Sequence, residues 1–134
     1  MKIVIDTNVI ISGIYFGGIP KKLLETVLNN TYQIIISENI IYEYFDVIHR
    51  MSKKRMSPDA AATQVLNKLI SNAKIIEPGD IKTPSCEDPD DIKFLQAAIV
   101  SNAEFLISGD KHLLDVGKYK GGIVLKPKEF LLSI

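Results

Sequence analysis

"KIVIDTNVII" (residues 2–11) decides how the rest of the chain is read. Ile3, Val4 and Ile5 are consecutive, apolar and β-branched. That is the composition of a strand covered on both faces rather than one alternating between core and water. An acid, a hydroxyl and an amide follow as Asp6, Thr7 and Asn8, and apolar residues resume at once with Val9, Ile10 and Ile11. A carboxylate lodged between two apolar runs is either a turn or helix-cap residue or a group placed for chemistry.

Strands of the same kind recur outward from this stretch. "QIIIS" (Gln33 to Ser37), "KIIE" (Lys74 to Glu77), "EFLIS" (Glu104 to Ser108) and "GIVLK" (Gly122 to Lys126) are short and apolar, which gives five strands with Lys2 to Ile5. Between them lie segments with a helical period. Leu23, Leu24, Val27 and Leu28 follow Pro20, which suits a first turn. Ile40, Ile41, Tyr44, Val47 and Ile48 mark a helix over Glu38 to Arg50. Ser57 and Pro58 form a cap and first turn ahead of Ala61, Ala62, Val65, Leu66, Leu69 and Ile70. "DPDDIKFLQAAIVSNA" starts another helix with Asp88 as N-cap. A short turn holds Leu113 and Leu114, residues 79 to 87 read as a loop, and "PKEFLLSI" closes with a short helix. Short buried strands alternating with amphipathic helices predict an α/β fold: a central, mostly parallel five-stranded sheet flanked by helices. At 134 residues the chain reads as one domain spanning 1–134.

Composition narrows the function classes. Sixteen basic residues balance sixteen acidic ones, so a polyanion would have to meet a local patch. Cys86 is the only cysteine, which leaves no intrachain disulfide and no cysteine-based metal cluster. No apolar run approaches the roughly 18 residues of a membrane span, and no signal-peptide pattern opens the chain. The expectation is a cytoplasmic protein without a membrane partner.

The acids carry the chemistry. Asp6 follows the first strand and Asp110 the fourth; in parallel sheets ligands bind outside the carboxyl ends of the strands. Asp110 also fits a plain Gly-Asp turn. Glu43 shares the apolar face of Ile40 and Val47, where a carboxylate is costly unless a cation neutralises it. An ion pair or an edge position would explain it equally. Asp91 stands three residues after Asp88, where an acid can complete a capping box, yet it also falls on the stripe of Leu95 and Ala98. Clustered carboxylates need a counter-charge, and hard oxygen ligands point to Mg²⁺ or Mn²⁺.

Four segments, "VIDTNVIISG", "ISENIIYEYFDVIHR", "CEDPDDIKFLQAA" and "FLISGDKHLL", together with "PKEFL", resemble the PIN-domain ribonucleases in order and spacing. The likeness is to the branch of toxins in toxin–antitoxin pairs. It implies a sheet with the first strand central and a metal-dependent endoribonuclease acting on single-stranded RNA. Asp6, Glu43, Asp91 and Asp110 would be its catalytic acids. Asp6, Asp91 and Asp110 would hold Mg²⁺ or Mn²⁺, Glu43 would handle the attacking water, and Thr7, Asn8, Ser37 and Ser108 would support them. His112 stands where many members have a further acid. Arg50, Lys53, Lys54 and Arg55, in a presumed inter-helix loop, and Lys111 are candidate RNA contacts. The resemblance also implies an antitoxin partner and a homodimer. Two rivals are a haloacid-dehalogenase-like phosphatase, which normally needs an acid where Asn8 stands, and an inactive RNA- or protein-binding module.

Overall fold

A computed structural model of the chain describes residues 1–29, 32–55 and 60–134, without the side chain of Arg55. The proposed cap at Ser57 and Pro58 lies outside the described residues. Strands β1 (Lys2–Ile5), β2 (Gln33–Ser37), β3 (Ala73–Ile76), β4 (Phe105–Ile107), β5 (Lys118–Tyr119) and β6 (Gly122–Leu125) form one sheet in the order β3-β2-β1-β4-β6-β5. Every pairing is parallel except β5 with β6. The sheet therefore has six strands, not five. The extra strand is a two-residue edge hairpin, too short to carry a hydrophobic period. It turns through Gly121 at φ 101°, a backbone conformation that favours glycine.

The apolar strands are apolar because both faces are covered. Ile3, Val4, Ile5, Ile34, Ile35, Ile36, Leu106 and Ile107 are all buried. Helices α1 (Thr7–Tyr15), α2 (Gly18–Asn29), α3 (Glu38–Arg55) and α4 (Ala60–Ser71) pack among themselves, while α5 (Ile92–Ser101) lies against β1, β2, β3 and β4. Right-handed crossovers explain this division: β1 to β3 steps one way along the sheet, and the return from β3 to β4 must cross the opposite face. Helices α6 (Lys111–Val116) and α7 (Pro127–Ser133) complete the chain, with Phe130 set edge-on to Phe105 and Tyr32 at 5.7 and 5.5 Å. Among the described residues no helix is long and apolar enough to cross a membrane.

The sequence leaves one element unassigned, and another runs longer than expected. The run Val9, Ile10 and Ile11 belongs to α1, which begins immediately after Asp6; all three side chains are buried. The inter-helix loop expected for the basic segment from Arg50 to Arg55 is instead the continuation of α3, which runs through Arg55.

Because strand order reverses at β1, the crevice between the ends of β1 and β4 is the topological switch point where open α/β sheets bind ligands.

Candidate active site

Parallel pairing of Ile5 with Ile107 sets Asp6 beside Ser108, the residues that leave β1 and β4 together. The Asp6 amide donates to the Ile107 carbonyl at 2.9 Å, so the register persists past the strand end. Ser108 is fully buried and works in two directions. Its hydroxyl donates to Asp6 Oδ2 at 2.7 Å, and its Oγ accepts from the Asp110 amide at 2.9 Å. One hydroxyl thus fixes two acids. Asp110 in turn caps α6, accepting the His112 amide at 2.7 Å.

Burial pushes the Asp6 carboxyl above its ordinary value. The Ser108 hydrogen bond offsets part of this, and the negative charges of Asp110 and Glu43 add to it. Asp6 is an N-cap by position but makes no side-chain capping bond.

Asp91 does not complete a capping box. Asp88 does the capping alone, accepting the Asp90 amide at 3.0 Å ahead of a 3-10 turn over Pro89–Asp91. Asp91 is buried, and its Oδ2 has no hydrogen-bond partner. Its pKa is raised to about 6, first by burial and then by the charges of Asp110 and Asp6. Those charges reach Asp91 from across the crevice, which places the three aspartates in one electrostatic neighbourhood.

Glu43 reaches the same neighbourhood from α3 and is held at both oxygens. The Thr7 hydroxyl donates to Oε2, and Lys93 Nζ lies 2.8 Å from Oε1. Lys93 supplies the cation that an inward glutamate requires, and sequence reasoning missed it. The available signal was a lone lysine on the helix that follows the acidic turn, two residues after Asp91.

The remaining candidates are distributed less centrally. Ser37 is buried, and its Oγ accepts the Ile40 amide at 3.4 Å, which starts α3 rather than touching an acid. Asn8 is exposed and shares a hollow of about 260 Å³ with Asp110, Gly109 and Ser12. Glu43 and Lys93 border a second hollow of about 350 Å³ with Asn39, Ile92 and Gln96. Arg50 is paired with Asp46 at 3.2 Å on the surface. Lys53 and Lys54 are exposed on α3, and ten residues of helix put Lys53 about 15 Å along the axis from Glu43. Lys111 is exposed beside Asp110. The His112 ring lies against Glu87, with Nδ1 3.3 Å from Oε2 but without the alignment of a hydrogen bond.

A family model described as the PIN domain matches residues 2–112, the span that carries all four acids. The chain belongs to the PIN-domain family. Two solved structures share this PIN-domain fold. VapBC2 from Rickettsia felis, bound to a DNA fragment from their promoter, aligns with a TM-score of 0.62 at 17% identity over 94% of this chain and 98% of that one. PAE2754 from Pyrobaculum aerophilum aligns with a TM-score of 0.62 at 17% identity over 99% and 88%. At that identity the likeness is one of fold. No curated protein matches the chain.

Proposed function

We propose that this PIN domain is a metal-dependent endoribonuclease that hydrolyses phosphodiester bonds of single-stranded RNA. Its setting would be the cytoplasm, as the toxin of a toxin–antitoxin pair. The carrying observation is that Ser108 ties Asp6 to Asp110 at the switch point, while Asp91 is buried with one carboxylate oxygen unpartnered and feels the charges of both. An acid site built this way favours a cation.

The donor set fits Mg²⁺ or Mn²⁺. Asp6, Asp91 and Asp110 offer hard oxygen atoms, and Asp6 and Asp91 have pKa values raised first by burial, with the charge of Asp110 adding to both. Among the described residues no three carboxylate, imidazole or thiol side chains are drawn together tightly enough to hold an ion outright. Carboxylates assisted by water suit Mg²⁺, which usually keeps several of its waters. Such an ion, when bound, lowers the pKa of a water and neutralises charge building on the phosphoryl oxygens.

The chain's own residues then have distinct tasks. Ser108 fixes the Asp6 carboxylate and the start of the Asp110 loop. Thr7 orients Glu43, whose carboxylate aligns the attacking water and takes its proton. The two hollows, one beside Asn8 and Asp110 and one beside Glu43 and Gln96, each border an acid of the site and suit an extended strand. Lys111 is the nearest exposed cation by sequence to an acid of the site and suits a backbone phosphate. Lys53 and Lys54 would meet only more distant phosphates. Similarity to the VapBC2 structure supports an antitoxin partner, and the family resemblance supports a homodimer.

Cleavage of single-stranded RNA with and without Mg²⁺ or Mn²⁺, comparing wild type with Asp6→Asn, tests the reading. The expected result is metal-dependent cleavage lost in a variant that keeps its circular dichroism spectrum. A folded Asp6→Asn variant that cuts as fast as wild type refutes it.

A further inference from the structure

Lys93 is a cation set beside the acids, and its ammonium is held from several sides. Nζ lies 2.8 Å from Glu43 Oε1, donates to the Asp90 carbonyl, and sits 5.4 Å from the centre of the Phe94 ring. The paired side chains of Lys93 and Glu43 are 18% and 28% exposed, whereas those of the surface pair Arg50 and Asp46 are 67% and 66% exposed. Partial withdrawal from water strengthens the attraction that open solvent would screen. The Thr7 hydroxyl completes the grip at the second carboxylate oxygen.

The surroundings oppose this placement of Glu43. Its charge acts unfavourably on Asp6, and the same repulsion acts on Glu43 in return. A glutamate has enough rotamer freedom to turn toward water if nothing restrains it. Thr7 alone supplies one hydrogen bond from a neutral donor, whereas Lys93 brings a full opposite charge to within 2.8 Å of the other oxygen. Lys93 comes from α5, on the opposite side of the sheet's end from α3, so the ion pair also joins the helix that follows Asp91 to the helix that carries Glu43.

We infer that Lys93 is a positioning residue: it clamps the Glu43 carboxylate, together with Thr7, in the orientation needed to address the attacking water, and does not itself bind the RNA. This rests on the nuclease reading for its effect on rate, but the clamp is a property of the folded chain alone.

Lys93→Met keeps the apolar stem and removes the charge. The expected result is a fall in kcat of about tenfold to a hundredfold, the range typical of residues that orient a catalytic group, with KM changed less than about threefold. Lys93→Arg should recover a large part of the loss. In a Glu43→Gln background, Lys93→Met should cost nothing further, because a residue acting only through Glu43 has nothing left to hold. A rise in KM at unchanged kcat, or a Lys93→Met loss that adds fully to that of Glu43→Gln, shows instead that Lys93 contacts the RNA and overturns the inference.

A second measurement is independent of activity. The Glu43 carboxyl carbon resonance at fixed neutral pH should move between wild type and Lys93→Met while most backbone amide resonances stay in place. An unmoved carboxyl resonance overturns the clamp even if the wild-type chain cuts RNA. Conversely, a moved resonance in a chain whose cleavage is absent or insensitive to Asp6→Asn keeps the clamp and refutes the nuclease reading.

Discussion

Replacing Asp91 with asparagine should make the metal-free protein more stable, and the gain should disappear in acid. Asp91 is buried with Oδ2 unpartnered, and its pKa is raised from 3.8 to about 6. An acid whose pKa is higher in the folded chain ionises first in the unfolded one as pH rises. Stability attributable to it is therefore intact below 3.8, falls between 3.8 and about 6, and stays reduced above that. The full interval corresponds to about 3 kcal/mol. Water entering the crevice and screening by salt cut this to about 1 kcal/mol. Asp91→Asn should thus gain about 1 kcal/mol at pH 7.5, or about 4 °C in Tm for a chain of this size, and nothing at pH 3.5. Urea unfolding at the two pH values, in chelator, reads the difference directly. Adding Mg²⁺ or Mn²⁺ should reverse the order: saturating ion at ten times its Kd stabilises wild type by about 1.4 kcal/mol and the variant by much less. If Asp91→Asn is destabilised equally at both pH values, the carboxylate is not held against its own charge and the account of the site is wrong.

Two other predictions rest on single contacts. Ser108→Ala leaves Asp6 Oδ2 and the Asp110 amide without their shared partner. It should cost about 1–3 kcal/mol in urea unfolding and reduce kcat about tenfold to a hundredfold; wild-type kinetics in this variant would remove Ser108 from the site. Gly13→Ala would place a Cβ 2.5 Å from Leu24 Cδ1 and 2.9 Å from the Pro20 carbonyl oxygen, in the seam between α1 and α2. It should lower stability by about 1–3 kcal/mol despite alanine's better helix propensity, and a Tm equal to or above wild type would contradict that packing.

Much of the architecture was legible because it depends on burial. Strands β1, β2 and β4 are covered on both faces, so their Ile, Val and Leu runs announce them without alternation. The strand-end positions of Asp6 and Asp110 follow from the same reading, and the adjacency of β1 and β4 is what converts two distant acids into neighbours. Other features depend on contacts between segments that no local pattern reveals. Helix α1 starts directly after Asp6, leaving no loop to mark its beginning. The Lys93 and Glu43 pair joins α5 to α3, and neither helix alone shows that its charged residue faces the other. Asp91 shows how a local rule can be satisfied by a neighbour: Asp88 alone caps the turn, and the acid three residues later is released for other use. Strand β5 is formed by two residues whose pairing is set by the Gly121 turn.

Ser108 makes the site dependent on how β1 and β4 are seated against one another. Asp6 is anchored to one strand and Asp110 follows the other, and a single hydroxyl measures the gap between them. A slip of one residue in that pairing would carry Ser108 away from Asp6 and move Asp110 with it, so the two acids would be lost together rather than in turn. Protection of the Asp6 amide, which donates to Ile107 at the same junction, therefore reports in hydrogen exchange on whether the acid site is assembled. Loosening of the sheet at this seam acts as a switch on the whole site.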